Sequence, residues 1–137
     1  IEVCLVRRNH PTVTDRLTME QYAALDHVVF RLPGDYGASV VDRELWKQGL
    51  RRNHAMTVHS YSDAPPVIAG TELVCSTPLA IGRHFARVYG LRCVPSPVET
   101  LWPVYMMWPR NADKDAGHQW LRRTLIERLT DVLVDES

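Results

Sequence analysis

At 137 residues, with 45% apolar and 23% charged, the chain has the composition of one globular domain with a real hydrophobic core, which excludes a disordered segment. Sixteen basic residues balance sixteen acidic ones, so no charge excess marks a nucleic-acid or membrane surface. No apolar run reaches the roughly 18–20 residues of a membrane helix, no signal peptide is visible, and Cys4, Cys75 and Cys93 sit among apolar neighbours as buried reduced thiols of a cytosolic protein would.

The chain opens in mid-strand. Ile1 to Val6 read as a strand that the turn Arg7-Arg8-Asn9-His10-Pro11 ends. Thr18-Met19-Glu20-Gln21 has the form of a capping box and starts a short helix ending near Leu25. A strand over Val28 to Leu32 is stopped by Pro33-Gly34. Val41 and Leu45 stand at helical spacing within 38–49, with Gly49 as the stop. A third strand is predicted over 55–60. Pro65-Pro66 suits the first turn of a helix, where a missing N–H breaks no intrahelical bond.

Glu72 to Ser76 is the next strand. Pro78 then opens a helix carrying Ile81, Phe85, Val88 and Tyr89 on one face, closed by Gly90. Residues 91–94 and 103–108 are further strands, and 113–134 is a helix with the stripe Leu121, Leu125, Leu129, Val132 and Leu133. Strands separated by helices predict an α/β fold with parallel pairing through right-handed crossovers.

Common enzyme signatures are absent. The sequence holds no GxSxG elbow, no GxxxxGK[ST] loop, no GxGxxG after a strand, no HExxH and no CxxC. His54 and His59, five apart on one predicted strand, face opposite ways, and His84 stands alone on a helix. No metal, cofactor or covalent chemistry is expected. One junction carries binding chemistry: Ser60-Tyr61-Ser62-Asp63 joins the C-terminal end of a strand to a helix N-terminus, where open α/β sheets bind ligands. Free N–H groups there favour a carboxylate or similar anion; equally, Ser60 or Asp63 only caps the helix.

Taken in order, VCLVRRNHP, LTMEQYAALDHV, VIAGTELVCSTPLA and W-(x)6-DAGHQWLRRTL resemble the effector-binding domain of LysR-type transcriptional regulators, over nearly all of residues 1–130. DHV and AGTELV resemble the branch that senses aromatic inducers. The resemblance implies two Rossmann-like lobes, as in a type 2 periplasmic binding protein, with parallel sheets flanked by helices and the effector between the lobes. On that template residues 1–7 are the hinge strand leaving lobe one, 8–102 form the second lobe, and 103–137 are the returning hinge strand and a C-terminal helix of lobe one. Residues 103–108 are then the expected neighbour of 1–7, and Trp120 belongs to the core of its helix.

The same template implies a cytoplasmic ligand sensor without enzyme activity, binding a small aromatic or carboxylate inducer. It implies self-association as a dimer or higher oligomer, and DNA contact only through a winged helix-turn-helix upstream, with no membrane contact. Ser60, with Tyr61 and Ser62 beside it, falls at the second lobe's contact to inducer. His27 matches an inducer-contacting position, against the alternative of a strand-end histidine bonded to local backbone. Met107 matches an apolar wall of the cleft, with Met106 or Trp108 as the other candidates for the inward position. Arg31 is expected in an ion pair at the surface or between lobes, and Arg7-Arg8 against acidic groups. A solute-binding protein on the same fold and an enzyme with a related bilobal fold are the alternatives.

Overall fold

A computed structural model of the protein describes residues 1–35, 37–100 and 105–134, with side chains described to residue 130. The chain forms two compact units, Ile1–Trp102 and Pro103–Ser137.

The first unit is an α/β sandwich. Its elements run β1 (Glu2–Arg7), α1 (Met19–Ala23), β2 (Asp26–Phe30), α2 (Val40–Lys47), β3 (Asn53–Val58), α3 (Ala64–Gly70), β4 (Val74–Pro78), α4 (Leu79–Tyr89) and β5 (Leu91–Pro95). Five strands form one sheet in the order β3-β2-β4-β1-β5. β2 pairs parallel with β3 and β4, as crossover connections require. β1 runs antiparallel to both its neighbours, with Leu5 opposite Cys75 on one side and Cys93 on the other. The sheet is therefore mixed: the expected parallel pairing holds for β2 with β3 and β4, and β1 departs from it.

Alternation splits each strand between two cores. Cys4, Val6, Val74 and Val94 pack on one face with Tyr22, Val41 and Leu45 from α1 and α2. Leu5, Val28, Cys75 and Leu91 pack on the other with Ala64 and Ile68 of α3, and Phe85 and Ala86 of α4 lie against them. Each fully buried Leu or Val contributes about 1.5–3 kcal/mol, so covering both faces is what stabilises so short a set of strands.

Local signals act where expected. Thr18 caps α1 in a complete capping box with Gln21, and Ser39 does the same for α2 with Asp42. Gly90 ends α4 at a φ of 65°, in the left-handed region that glycine adopts freely. Boundaries moved where pairing decides them: β2 and β3 start two residues earlier than their sequence patterns suggest, and β4 starts and ends two residues later. A register shift between His27 and Val28 places a bulge opposite β3, and His59 lies beyond that strand's end. The parity argument that set His54 against His59 therefore does not apply.

β1 also corrects the hinge expectation for its neighbours. Both its edges are occupied within the first unit, by β4 and β5, not by residues 103–108. Pro103 and Val104 lie outside the described residues, and Tyr105–Pro109 form no ladder among them. A strand exists only where a neighbour takes up its backbone groups.

In the second unit a 3-10 turn, Arg110–Ala112, leads to α5 (Ala116–Val134). Arg122 on α5 binds this turn, donating to the carbonyls of Ala112 and Asp113 at 3.1 and 3.0 Å and stacking over Trp108 at 4.6 Å. Asp115 caps the helix through His118 N–H at 2.8 Å. Trp120, read from sequence as core, is 60% exposed.

α4 approaches the sheet closely at Gly82. A Cβ there would lie 2.6 Å from Val3 Cγ2 and 3.1 Å from Thr77 Cγ2, well inside contact distance. Gly82→Ala should destabilise the fold by ~1–3 kcal/mol, the range for overpacked interiors. Gly70→Ala, with nothing within 4 Å, should leave the urea midpoint nearly unchanged. Equal midpoints for the two variants would show that α4 does not sit this close to β1.

Candidate functional site

Parallel strands deliver their C-terminal ends to one edge of the sheet, and β1, running the other way, delivers its N-terminal end there. Glu2 pairs with Pro78 and Val3 with Pro95, so Glu2 stands beside the ends of β4 and β5. Phe30 ends β2 opposite Val58 of β3, and Ser60 to Ser62 follow directly. This is the edge at which open α/β sheets take ligands.

Two hollows open along it. A cavity of about 630 Å3 is lined by Glu2, Pro95, Ser96, Val98, Glu99 and Thr100, among others. A niche of about 40 Å3 is lined by residues including Glu2, Phe30, Ser39, Arg52, Tyr61 and Ser76. Tyr61 stacks on Phe30 with ring centroids 4.2 Å apart and planes 17° from parallel. Burial pushes the Tyr61 hydroxyl up to about 12, with nearby Cys75 and Glu2 adding to the effect, so it stays a neutral donor.

Ser60 serves the local cap. Its hydroxyl accepts from Ser62 N–H at 3.3 Å and shares a 2.7 Å hydrogen bond with the Ser62 hydroxyl. Asp63 makes no side-chain cap to α3. The expected anion site at this helix start is corrected. α3 has seven residues, beginning Ala64-Pro65-Pro66, and proline has no N–H to offer. Two of the first three donors that a carboxylate would use do not exist.

Behind the niche lies a buried polar network. Arg52 donates from Nε to Asp42 Oδ1 at 2.8 Å, from one terminal nitrogen to the Tyr22 hydroxyl at 3.1 Å, and from the other to Ser39 Oγ at 3.1 Å. Tyr22 in turn shares a hydrogen bond with Ser76 Oγ. Asp42 also accepts from Ser39 Oγ at 2.7 Å and from His54 Nε2 at 2.9 Å, and Arg31 stands 3.8 Å away. Asp42 and Arg52 side chains are each only 4% exposed. Burial alone would raise the Asp42 carboxyl; the hydrogen bonds and charge of Arg52, with Ser39 and His54, hold it well below the usual carboxylate range.

The edge gathers Ser60, Tyr61 and Ser62 but not His27. The His27 ring is fully buried, edge-on to Tyr22 at 4.6 Å, and Nε2 donates to the Tyr22 carbonyl at 2.8 Å. That is the local-backbone alternative for this residue. Its Nδ1 meets no hydrogen-bond partner among the described residues. Burial, then the Arg52 charge, lowers its pKa to about 4, keeping the ring neutral. Met107 belongs to the second unit and is 91% exposed. Arg31 pairs with Asp42 as an ion-pair residue would, and Arg7 with Glu72 at 3.1 Å. No metal-binding group of His, Cys, Asp and Glu occurs among the described residues.

Sequence reasoning missed Glu2, Phe30, Asp42, Arg52 and Ser76. Glu2 alone left a signal, a carboxylate within an apolar strand. Arg51 and Arg52 are indistinguishable by pattern, yet Arg51 stacks on the exposed Trp46 at 5.5 Å while Arg52 enters the interior.

A family model described as LysR substrate binding domain matches residues 2–130. The chain is 27% identical over 127 residues to Nodulation protein D 3 of Mesorhizobium japonicum, covering 91% of this chain and 42% of that protein. It is 34% identical over 121 residues to the HTH-type transcriptional regulator SyrM of Rhizobium meliloti, covering 87% and 37%. The chain thus spans well under half the length of these relatives. The crystal structure of the regulatory domain of MexT, a transcriptional activator in Pseudomonas aeruginosa, superposes with a TM-score of 0.72 at 24% identity. That match covers 90% of this chain and 59% of that one, and it shows the fold.

His27 makes the fold sensitive to acid. Its folded-state pKa lies below the ordinary 6.5, so between pH 4 and 6.5 the unfolded chain binds more protons and stability falls as pH falls. The gap corresponds to ~3 kcal/mol. Asp42 also loses its contribution on acidification, but only below the ordinary carboxylate value of 3.8, so the two windows separate. Urea midpoints at pH 7 and pH 4.5 should differ strongly for the wild type and much less for His27→Gln. Parallel drops would mean that the ring is not buried neutral.

Proposed function

The chain belongs to the LysR substrate-binding-domain family, and from that premise we propose that it is the ligand-sensing part of a transcriptional regulator working in the cytoplasm. In this reading the first unit is the second lobe of a two-lobed sensor. A small effector, aromatic or carboxylate in the expectation from sequence, binds at the strand-end edge and favours one arrangement of the regulator. DNA is then read by a helix-turn-helix in the remainder of a longer protein, and the sensor works as a dimer or higher oligomer. A ligand acts in this way only through its different affinity for the two arrangements.

The observation that carries the reading is the edge itself. Cavity, niche, stacked aromatic pair and serine turn all meet at the strand ends of a sheet whose family fold senses small molecules. Ser60, Tyr61 and Ser62 are the contact residues in this proposal. His27 supports the niche from the interior through Tyr22. No helix among the described residues is long and apolar enough to cross a membrane.

Tyr61→Leu in the full-length regulator should weaken the effector-dependent change in operator binding about tenfold, the worth of one aromatic contact with a hydrogen bond. The urea midpoint should hardly move, because Tyr61 is only half-buried. An unchanged effector response would remove this edge from the site.

Residues 1–137 carry no net charge. Alone they should not retard operator DNA in a mobility-shift assay at any salt concentration, because a neutral surface releases few counterions.

A further inference from the structure

The niche of about 40 Å3 has room for a single small group, one water or one ligand oxygen. Its polar walls are Glu2, Ser39, Arg52, Tyr61 and Ser76. Glu2 and Arg52 carry opposite charges and attract each other, so neither charge by itself decides what the hollow accepts. The hydroxyl groups decide it, and the places of their hydrogens follow from the donors and acceptors around them.

Ser39 is saturated. Its Oγ donates to Asp42 Oδ2 at 2.7 Å and accepts from the Asp42 N–H and from Arg52, each at 3.1 Å. The Tyr22 hydroxyl is fully buried and meets two groups among the described residues, the Arg52 guanidinium at 3.1 Å and Ser76 Oγ. A guanidinium only donates, so the phenol hydrogen has Ser76 Oγ as its acceptor. Turned any other way it would be a buried donor without a partner. Burial raises the Tyr22 hydroxyl well above its ordinary value, so this hydrogen stays in place.

Donation therefore runs from Arg52 through Tyr22 to Ser76, each link polarising the next. Ser76 ends the chain. Having accepted from Tyr22, it keeps its own O–H to give, and Ser76 Oγ meets no other partner among the described residues. Its backbone is held in β4 opposite Cys4 of β1. Tyr61 brings a second hydroxyl to the same wall. The hollow thus offers hydrogens and calls for an acceptor. A carbonyl oxygen fits that need, because it accepts and brings no hydrogen that needs an acceptor of its own.

We propose that Ser76 is the polar reader of this edge: its hydroxyl donates to a carbonyl oxygen of the effector seated in the niche, and the Arg52–Tyr22 chain aims that donor. This rests on the effector-sensing reading and deepens it, adding a contact residue on β4 to Ser60, Tyr61 and Ser62. A ligand with carbon in place of that oxygen leaves the Ser76 hydrogen unpaired in a desolvated niche, so one residue both attracts and discriminates.

The test titrates acetophenone and ethylbenzene, alike except for C=O in place of CH2, into the full-length protein, followed by NMR. Ser76→Ala should weaken acetophenone about tenfold, the worth of one hydrogen bond, and leave ethylbenzene within about twofold. Retained ethylbenzene binding separates a lost donor from a lost fold. Ser76→Cys, close in shape and only a weak donor, should weaken acetophenone at least about threefold, and it decides the matter where the alanine variant does not fold. Tyr61→Phe should affect acetophenone less than Ser76→Ala does.

Parallel changes for the two probes, acetophenone binding unmoved by loss of the Ser76 hydroxyl, or a larger effect from Tyr61→Phe overturns the proposal and leaves the sensor reading standing. Failure of both probes to bind in the millimolar range removes both.

Discussion

The buried Asp42–Arg52 pair is the constraint on which the rest of the first unit depends. Through it, the start of α2, the approach to β3, the α1 tyrosine and the β4 serine are held on one face of the sheet. Such a pair contributes little net stability, because removing two charges from water costs nearly what their attraction returns. Breaking it is another matter: one charge left alone in the interior costs ~3–5 kcal/mol. The pair therefore acts mainly on position. Arg52 holds the Tyr22 hydroxyl, Tyr22 holds Ser76, and both Ser76 and Arg52 line the niche, so that hollow takes its geometry from the ion pair.

The direction of β1 completes that edge. In a fully parallel sheet the strand ends at one edge are all C-terminal, and each arrives with its following loop. An antiparallel strand in the middle brings its N-terminal residue to the same place, already inside the sheet and bonded on both sides. Glu2 can thus be both nearly inaccessible and a wall of two hollows. A loop residue would reach the same point with its carboxylate far less fixed.

How much of this was legible in the sequence follows the range of the interactions. Thr18, Pro65-Pro66, Gly49 and Gly90 act on their own backbone, and their elements were readable. Strand limits were not, because β2, β3 and β4 extend as far as their partners do; residues 103–108 show the same limit, having strand composition without a ladder among the described residues. β1 carried an unused signal, since VCLV is apolar on both faces and suits a central strand. Asn53–Val58, mostly exposed, suits the edge it occupies.

The site divides in the same way. Ser60 to Ser62 were readable from a strand-to-helix junction, and the family from four motifs in order. The fate of His27 was not, since burial is a tertiary property and a histidine at a strand end reads alike in either environment. The anion preference assigned to the junction failed on a local fact that was available: two prolines stood where the donors had to be.

Selection and switching then fall to different groups. If one contact at this edge is worth about tenfold, it moves a two-state equilibrium from 1:99 only to about 1:10, whereas full reversal needs roughly ten-thousandfold differential binding. The first unit cannot supply the remainder by repacking, because its sheet is covered on both faces and pinned by the Asp42 network and the Gly82 contact. The exposed serine turn and the half-buried Tyr61 lie outside that packed interior. On the sensor reading this edge decides which molecule binds. The larger share of any switching energy then has to come from outside this edge.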